Sequence, residues 1–220
     1  MTDAVPIASG RDADVFAIDT RTVLRRYRDG SDATAEAKTM AYVAALGFPV
    51  PKVHSATGAD VVMERLHGPT MLEALGAGSM DVDEGAALLT DLHGRLHNLP
   101  ASLSPDPSAR ILHLDLHPGN VMICPRGPVV IDWRNTTEGP AELDLAMSAL
   151  ILAEVAVDPG ADLAVAAAAM LDAFLRHTGD GPPRMLDRAV AMRRRDPNLT
   201  AEEVSRLTSA AALINSGRER

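Results

Sequence analysis

The sequence predicts an α+β chain of two lobes, a small antiparallel sheet with one helix over residues 1–66 and a mainly helical lobe over 67–220. Three observations predict it. β-type runs gather early, at Val15 to Ile18, Thr22 to Tyr27 and Val61 to Met63, each bounded by polar or turn residues. From Thr70 onward the apolar positions recur with helical spacing. Gly68-Pro69 separates the two patterns and marks a hinge candidate.

Composition limits what the chain can be. At 220 residues it is long enough for a substantial core, and its 46% hydrophobic share is that of an ordinary soluble protein. No apolar run reaches membrane-spanning length, and the start M-T-D-A-V-P-I-A-S-G-R lacks the charged end and apolar centre of a signal peptide. A cytoplasmic location with no membrane partner is expected. The single cysteine, Cys124, excludes an internal disulfide framework and reads as a packed thiol. A formal charge of −9 argues against a nucleic-acid partner, which needs a basic stripe to displace counterions, and suits a neutral or cationic small molecule.

Taken in order, the first two β-type runs flank the polar turn Asp19-Thr20-Arg21 and form a hairpin. Alternation puts Val23, Arg25 and Tyr27 on one face of the second strand, with Leu24 and Arg26 on the other. One arginine is expected to face a cleft, and strand geometry alone does not say which. As edge-strand charges, both read equally well as solvated. Thr34 to Leu46 is an Ala-rich helix with Glu36 in its first turn, stopped by Gly47 and the Pro49-Val-Pro51 pair. The next helices are expected at Met71 to Leu75 and at Asp83 to His97, the latter with Ala86, Leu89, Leu92 and Leu96 in a stripe. Its His93 and His97 are spaced like zinc ligands but lack the glutamate of a metalloprotease helix, so they read as a packed or capping pair. Leu99 to Arg110 is expected to be loop. Further helices are expected at Ala141 to Val155, Ala161 to His177, Pro183 to Arg195 and Thr200 to Ser216. Thr200 and Glu203 have capping-box spacing, and Arg193-Arg194-Arg195 reads as a solvated helix end.

The densest chemistry lies in I-L-H-L-D-L-H-P-G-N-V-M-I-C-P-R-G-P-V-V-I-D-W, residues 111 to 133, with two β-type runs around Pro125-Arg126-Gly127-Pro128. Asp115 precedes Asn120 by five residues, and Asp132 follows Asn120 by twelve. His113, Asp115 and His117 alternate, so an extended segment would set all three on one face and offer a site for a transition metal, the metal-hydrolase reading. Asn120 and Asp132 instead supply hard oxygen donors suited to magnesium.

The combination of H-L-D-L-H-P-G-N-V with V-V-I-D-W resembles the catalytic core of the aminoglycoside phosphotransferase and choline kinase family, whose fold is protein-kinase-like. The order of hairpin, helix with early glutamate, strand, hinge and helical lobe agrees through about Ala156. The resemblance implies an ATP- or GTP-dependent, Mg2+-dependent phosphotransferase acting on a hydroxyl of a small molecule, as a monomer or homodimer. It implies Asp115 as catalytic base, and Asn120 and Asp132 as magnesium ligands. Gly10 to Val15 is implied as the phosphate-covering loop, and Arg25 as the counterpart of the strand lysine with Glu36 as its partner. Val23 is implied to line the nucleotide site, and Met63, Glu64 and Leu66 to meet the base at the hinge. His113 and Asp144, the latter in E-L-D-L-A, are implied as supports of the catalytic loop.

Two departures stand out. The phosphate loop has a single glycine, and the chain's only lysines, Lys38 and Lys52, lie off the Thr22 to Tyr27 strand. They motivate a second reading, a kinase-like module that binds nucleotide or ligand without turnover. For the acceptor, Asp81, Asp83, Glu84, Glu138 and Glu142 are carboxylates able to attract an amine-bearing substrate.

Overall fold

The computed structural model describes residues 5–179 and 181–216, so Met1 to Ala4 of the N-terminal stretch lie outside the described residues. The chain divides into two compact units, one formed by residues 1–69 with 122–136 and the other by 70–121 with 137–220.

The first unit is built on a five-stranded antiparallel sheet in the order β1-β2-β3-β5-β4. Its strands are β1 (Ala8–Ser9), β2 (Ala13–Ala17), β3 (Thr22–Tyr27), β4 (Val53–Thr57) and β5 (Asp60–Glu64). The predicted hairpin is present, with Asp19 accepting the Arg21 amide at 2.7 Å in the turn, although β2 begins and ends earlier than the apolar run suggests. β1 and β4 were not expected. β1 is two residues long, and β4 reads V-H-S-A-T, with too few apolar residues to signal a strand. Register sets Val15 opposite Arg25, Val23 opposite Met63 and Arg25 opposite Val61. Ala13, Tyr27, Ala33 and Val61 form a small core with Val53, Ala56, Ala59 and Met63 packed against it.

Helix α1 (Thr34–Ala45) carries buried Glu36, Ala37, Met40 and Val43 and packs on β4. Asp32 accepts the Thr34 amide at 3.0 Å, and at the far end Gly47, in the left-handed region at φ +85°, lets the Phe48 amide reach the Val43 carbonyl at 3.0 Å. The distant segment adds a two-stranded sheet of β7 (Val121–Cys124) and β8 (Gly127–Val130), the two β-type runs around the Pro-Arg-Gly-Pro turn.

The second unit holds α2 (Met71–Gly76), α3 (Val82–His97), α4 (Ala141–Ala156), α5 (Ala164–Thr178), α6 (Leu186–Arg193) and α7 (Ala201–Ser216). A short sheet pairs β6 (Arg110–Leu112) with β9 (Thr137–Gly139). The N-terminal ends of α2 and α3 follow local chemistry. Thr70 and Glu73 make a reciprocal capping box on α2, Asp81 caps α3, and the predicted Thr200–Glu203 box is formed ahead of α7. α4 is buried almost all round, packing on α5, α6 and α7, and Leu143, Leu150, Ala146, Ala149 and Ala153 are almost fully buried. Each fully buried leucine contributes about 1.5–3 kcal/mol. The helix expected at Pro183 to Arg195 opens as a 3-10 turn over Pro182–Met185, and α6 proper begins at Leu186. Arg193 is not a solvated helix end: its side chain is 14% exposed and pairs with Glu154 and Asp196, each at 3.1 Å.

Candidate active site

Within the first unit, strand alternation puts Val23 and Tyr27 in the core and turns Arg25 inward with them. Of the two arginines, Arg25 is the inward one, 11% exposed; Arg26 lies on the surface and forms a fork to Asp60 at 2.6 Å. The Arg25 guanidinium bridges two carboxylates, donating to Glu36 and to Asp132, each at 2.5 Å. Burial works against its charge, but Asp132 and Glu36 outweigh that and raise its pKa, so it stays a cation. Glu36 is buried and fully engaged. One of its oxygens accepts from Arg25 and from the Trp133 amide at 3.1 Å, and the other accepts the Tyr27 hydroxyl. Tyr27 is a part of this cluster that the motif does not name, although the alternation that aligned it with Arg25 carried the signal.

Asp132 sits at φ +63°, a left-handed conformation uncommon for a residue with a side chain, and its side chain is 42% exposed. Trp133 locks the turn that follows. It is fully buried, its Nε1 donates to Val130 at 3.0 Å, and its ring meets Phe48 edge to face at 5.6 Å.

The loop from Gly10 to Val15 is held by arginines rather than freed by glycines. The Gly10 amide donates to Ala13 at 2.9 Å, and Arg28 donates to the carbonyls of Gly10 and Arg11 and, at 2.7 Å, to Asp14. Arg134 pairs with Asp12 at 3.4 Å and Asp29 at 2.7 Å, and lies over the Tyr27 ring at 4.5 Å. Neither Arg28 nor Arg134 carries a motif signal. At the end of β5, the Glu64 amide donates to Lys52 at 2.8 Å and its carboxylate accepts from Arg126 at 2.9 Å, while Met63 and Leu66 are half-buried.

Within the second unit, Asp115 and Asn120 are brought together. The Asn120 amide nitrogen donates to the Asp115 carbonyl at 2.9 Å and to its carboxylate at 3.1 Å. The side-chain oxygen of Asn120 is a hard donor of the kind magnesium takes. Asp115 is 23% exposed, and His117 stands 4.0 Å from it while its own Nδ1 accepts the Gly119 amide.

Asp144 is fully buried on α4 and accepts the backbone amides of His113 at 3.1 Å and Leu114 at 2.7 Å, and Nε2 of His97 at 2.9 Å. Burial pushes its carboxyl up, but the hydrogen bonds it accepts from His97 and from the two backbone amides favour the charged form and hold it well below the usual carboxylate range. His113, fully buried, accepts the Asp115 amide on Nδ1 at 3.3 Å.

Leu114 adopts φ +60°, so residues 113 to 117 are not extended. The shared face expected for His113, Asp115 and His117 therefore does not form. Among the described residues, the group able to hold a metal is instead His93, His97 and Asp144, with ligand atoms within 4.8 Å of one another. Both oxygens of Asp144 already accept amide or imidazole hydrogens, as expected of a packed histidine pair around a bracing carboxylate. The acidic residues considered for the acceptor are largely committed as well. Glu138 accepts the amides of Ser102, Leu103 and Ser104, Asp81 caps α3, and Asp83 pairs with Arg176 at 2.9 Å.

Solved structures share this fold. The aminoglycoside phosphotransferase APH(2")-IIa, in a ternary complex with streptomycin and ATP, superposes with a TM-score of 0.60 at 13% identity over 97% of this chain and 93% of that one. APH(4)-Ia, in a ternary complex with AMP-PNP and hygromycin B, gives 0.57 at 12% over 100% and 95%. Aminoglycoside-3'-phosphotransferase of type VIII gives 0.52 at 19% over 98% and 92%. No curated protein matches the sequence. An antiparallel five-stranded sheet with one helix, joined to a helical unit, is here the protein-kinase-like fold of small-molecule phosphotransferases. The chain belongs to the phosphotransferase enzyme family, whose model matches residues 3–109 and 96–187.

Proposed function

We propose that the protein is a magnesium-dependent small-molecule kinase that transfers the γ-phosphoryl group of ATP or GTP to a substrate hydroxyl. The observation that carries this reading is the Asp115–Asn120 pair, in which one amide group holds both the carbonyl and the carboxylate of the candidate base. Phosphoryl transfer requires positioning and charge neutralisation more than covalent help. Asp115 is the group to orient the acceptor hydroxyl and take its proton. Arg25, a permanent cation with a planar fork, is the group to grip phosphate oxygens, with Glu36 setting its direction. Asn120 and Asp132 would hold Mg2+, which when bound neutralises charge on the nucleotide phosphates. Val23 and the β5 end, Met63 to Leu66, are proposed to receive the base, and the arginine-held loop from Gly10 to Val15 to cover the phosphates.

One observation favours a second reading, a binding module without turnover: Arg25 already occupies the Asp132 carboxylate that the metal needs. A single screen separates them, following Mg-ATP and Mg-GTP consumption against amino sugars, aminoglycosides, choline, homoserine and simple sugars. Transfer to one acceptor is expected, and Asp115→Ala and Asp132→Ala, still folded, are expected to lower it by about 10²–10⁴-fold. Stabilisation by Mg-ATP without transfer to any acceptor selects the binding module. Neither binding nor turnover by the wild type defeats both.

A further inference from the structure

Asp144 and His113 hold the chain on the upstream side of Asp115, and a separate pair of buried groups holds it downstream. Ser148, one turn beyond Asp144 on α4, donates its hydroxyl hydrogen to the Leu116 carbonyl at 2.6 Å. A serine has one hydrogen to give, so the same oxygen can only accept from Nε2 of His93, 2.9 Å away on α3. That ring nitrogen therefore carries a hydrogen whatever the charge of the ring. Ser148 and Leu116 are fully buried and His93 is 1% exposed, packed against Phe174 at 5.8 Å. In such surroundings the Leu116 carbonyl has no water to turn to, and its orientation depends on the hydroxyl.

The geometry has a direct consequence for Asp115. Its N-terminal neighbour Leu114 is fixed at φ +60° with its amide on Asp144, and its C-terminal neighbour Leu116 is fixed through its carbonyl. With the backbone pinned on both sides, the direction of the Asp115 side chain is set before any substrate arrives. Asn120 then fixes the carboxylate itself.

We propose that Ser148 and His93 are positioning residues for Asp115, a hydroxyl–imidazole brace running from α3 through α4 to the Leu116 carbonyl. The proposal rests on Asp115 being the base of the reaction proposed above.

The test uses the full chain and two readouts. In the nucleotide-free protein, Ser148→Ala and His93→Leu are expected to speed amide exchange at Leu116 and His117 by about tenfold or more relative to any change in the α5 amides. In turnover of Mg-ATP, the same variants are expected to lower kcat by roughly 10–100-fold while KM for the nucleotide stays within about threefold. Ser148→Thr and His93→Gln, which keep the hydroxyl and a nitrogen donor, are expected to restore both. Should His93→Leu not fold, His93→Gln and Ser148→Ala decide. Wild-type exchange and wild-type kcat in Ser148→Ala would overturn the brace, as would a loss that appears equally in α5. If the wild type turns over no nucleotide, the reaction assigned above fails, and local exchange alone decides whether Ser148 and His93 hold the loop.

Discussion

His93 shows how one buried side chain ties stability to pH. Burial lowers the pKa of its ring from the ordinary 6.5, opposed by the nearby Asp144 carboxylate, so the folded protein favours the neutral form. The unfolded chain binds a proton near that value and the native chain only at lower pH, so this contribution is fully present above about pH 6.5 and declines as pH falls below it. A difference of one bound proton gives a slope of about 1.4 kcal/mol per pH unit. Urea unfolding of the wild type and His93→Gln across pH 5 to 8 measures it. The wild type is expected to lose stability steeply below pH 6.5 and the variant to lose less, whereas parallel curves would assign the acid limb to other groups. Arg25 carries a different lesson. Removing one partner from a buried ion pair costs about 3–5 kcal/mol because the other charge is stranded, and Glu36 is such a partner of Arg25, whereas Asp132, 42% exposed, is screened by water. A lysine at position 25 would keep the charge and lose the fork that spans Glu36 and Asp132.

Between elements, the tightest restraint is the approach of the chain at Gly68 to β7. Gly68 lies at φ +138°, and a side chain there would begin 2.0 Å from the Ile123 carbonyl oxygen, while the Ile123 amide donates to Pro69 at 2.8 Å. Backbone cannot retreat as a flexible side chain can. Gly68→Ala is expected to cost about 3 kcal/mol or more, combining overlap with backbone strain, and a denaturant midpoint close to wild type would contradict it. Gly68-Pro69 was legible as a punctuation mark in the sequence, but the neighbour that demands glycine was not, because it comes from a segment more than fifty residues away. The same division holds elsewhere. Helices announced themselves through apolar period and caps, as at Thr70–Glu73 and Thr200–Glu203, because those signals are local. The strands β4, β6 and β9 did not, since runs of three to five residues are too short to carry a period. Asp115, Asn120 and Asp132 were singled out by spacing, and the contact between Asp115 and Asn120 follows from the turn between them. Leu114 misled the alternation argument through a single dihedral, and Ser148 looked like any small residue in an apolar helix.

At the scale of the molecule, the first unit is discontinuous in sequence, drawing residues 1–69 and 122–136 into one body. A fragment of residues 1–69 would lack the Trp133 amide and the Asp132 carboxylate that satisfy Glu36 and Arg25. It is expected to show weak protection in amide exchange at β3 and α1, and full-length protein strong protection. Equal protection in the fragment would show that the sheet and α1 are self-sufficient. None of the described helices is long and apolar enough to cross a membrane.

The Glu36 carboxylate, bonded to Tyr27, Arg25 and the Trp133 amide, also has a history along the ribosome. During synthesis, Tyr27 and Arg25 reach it early and Trp133 arrives only after almost a hundred further residues. Until Asp132 and Trp133 have emerged, Glu36 lacks one of its three donors and Arg25 one of its two acceptors. Vectorial translation thus separates in time the partners of one buried carboxylate that lie side by side in the finished unit.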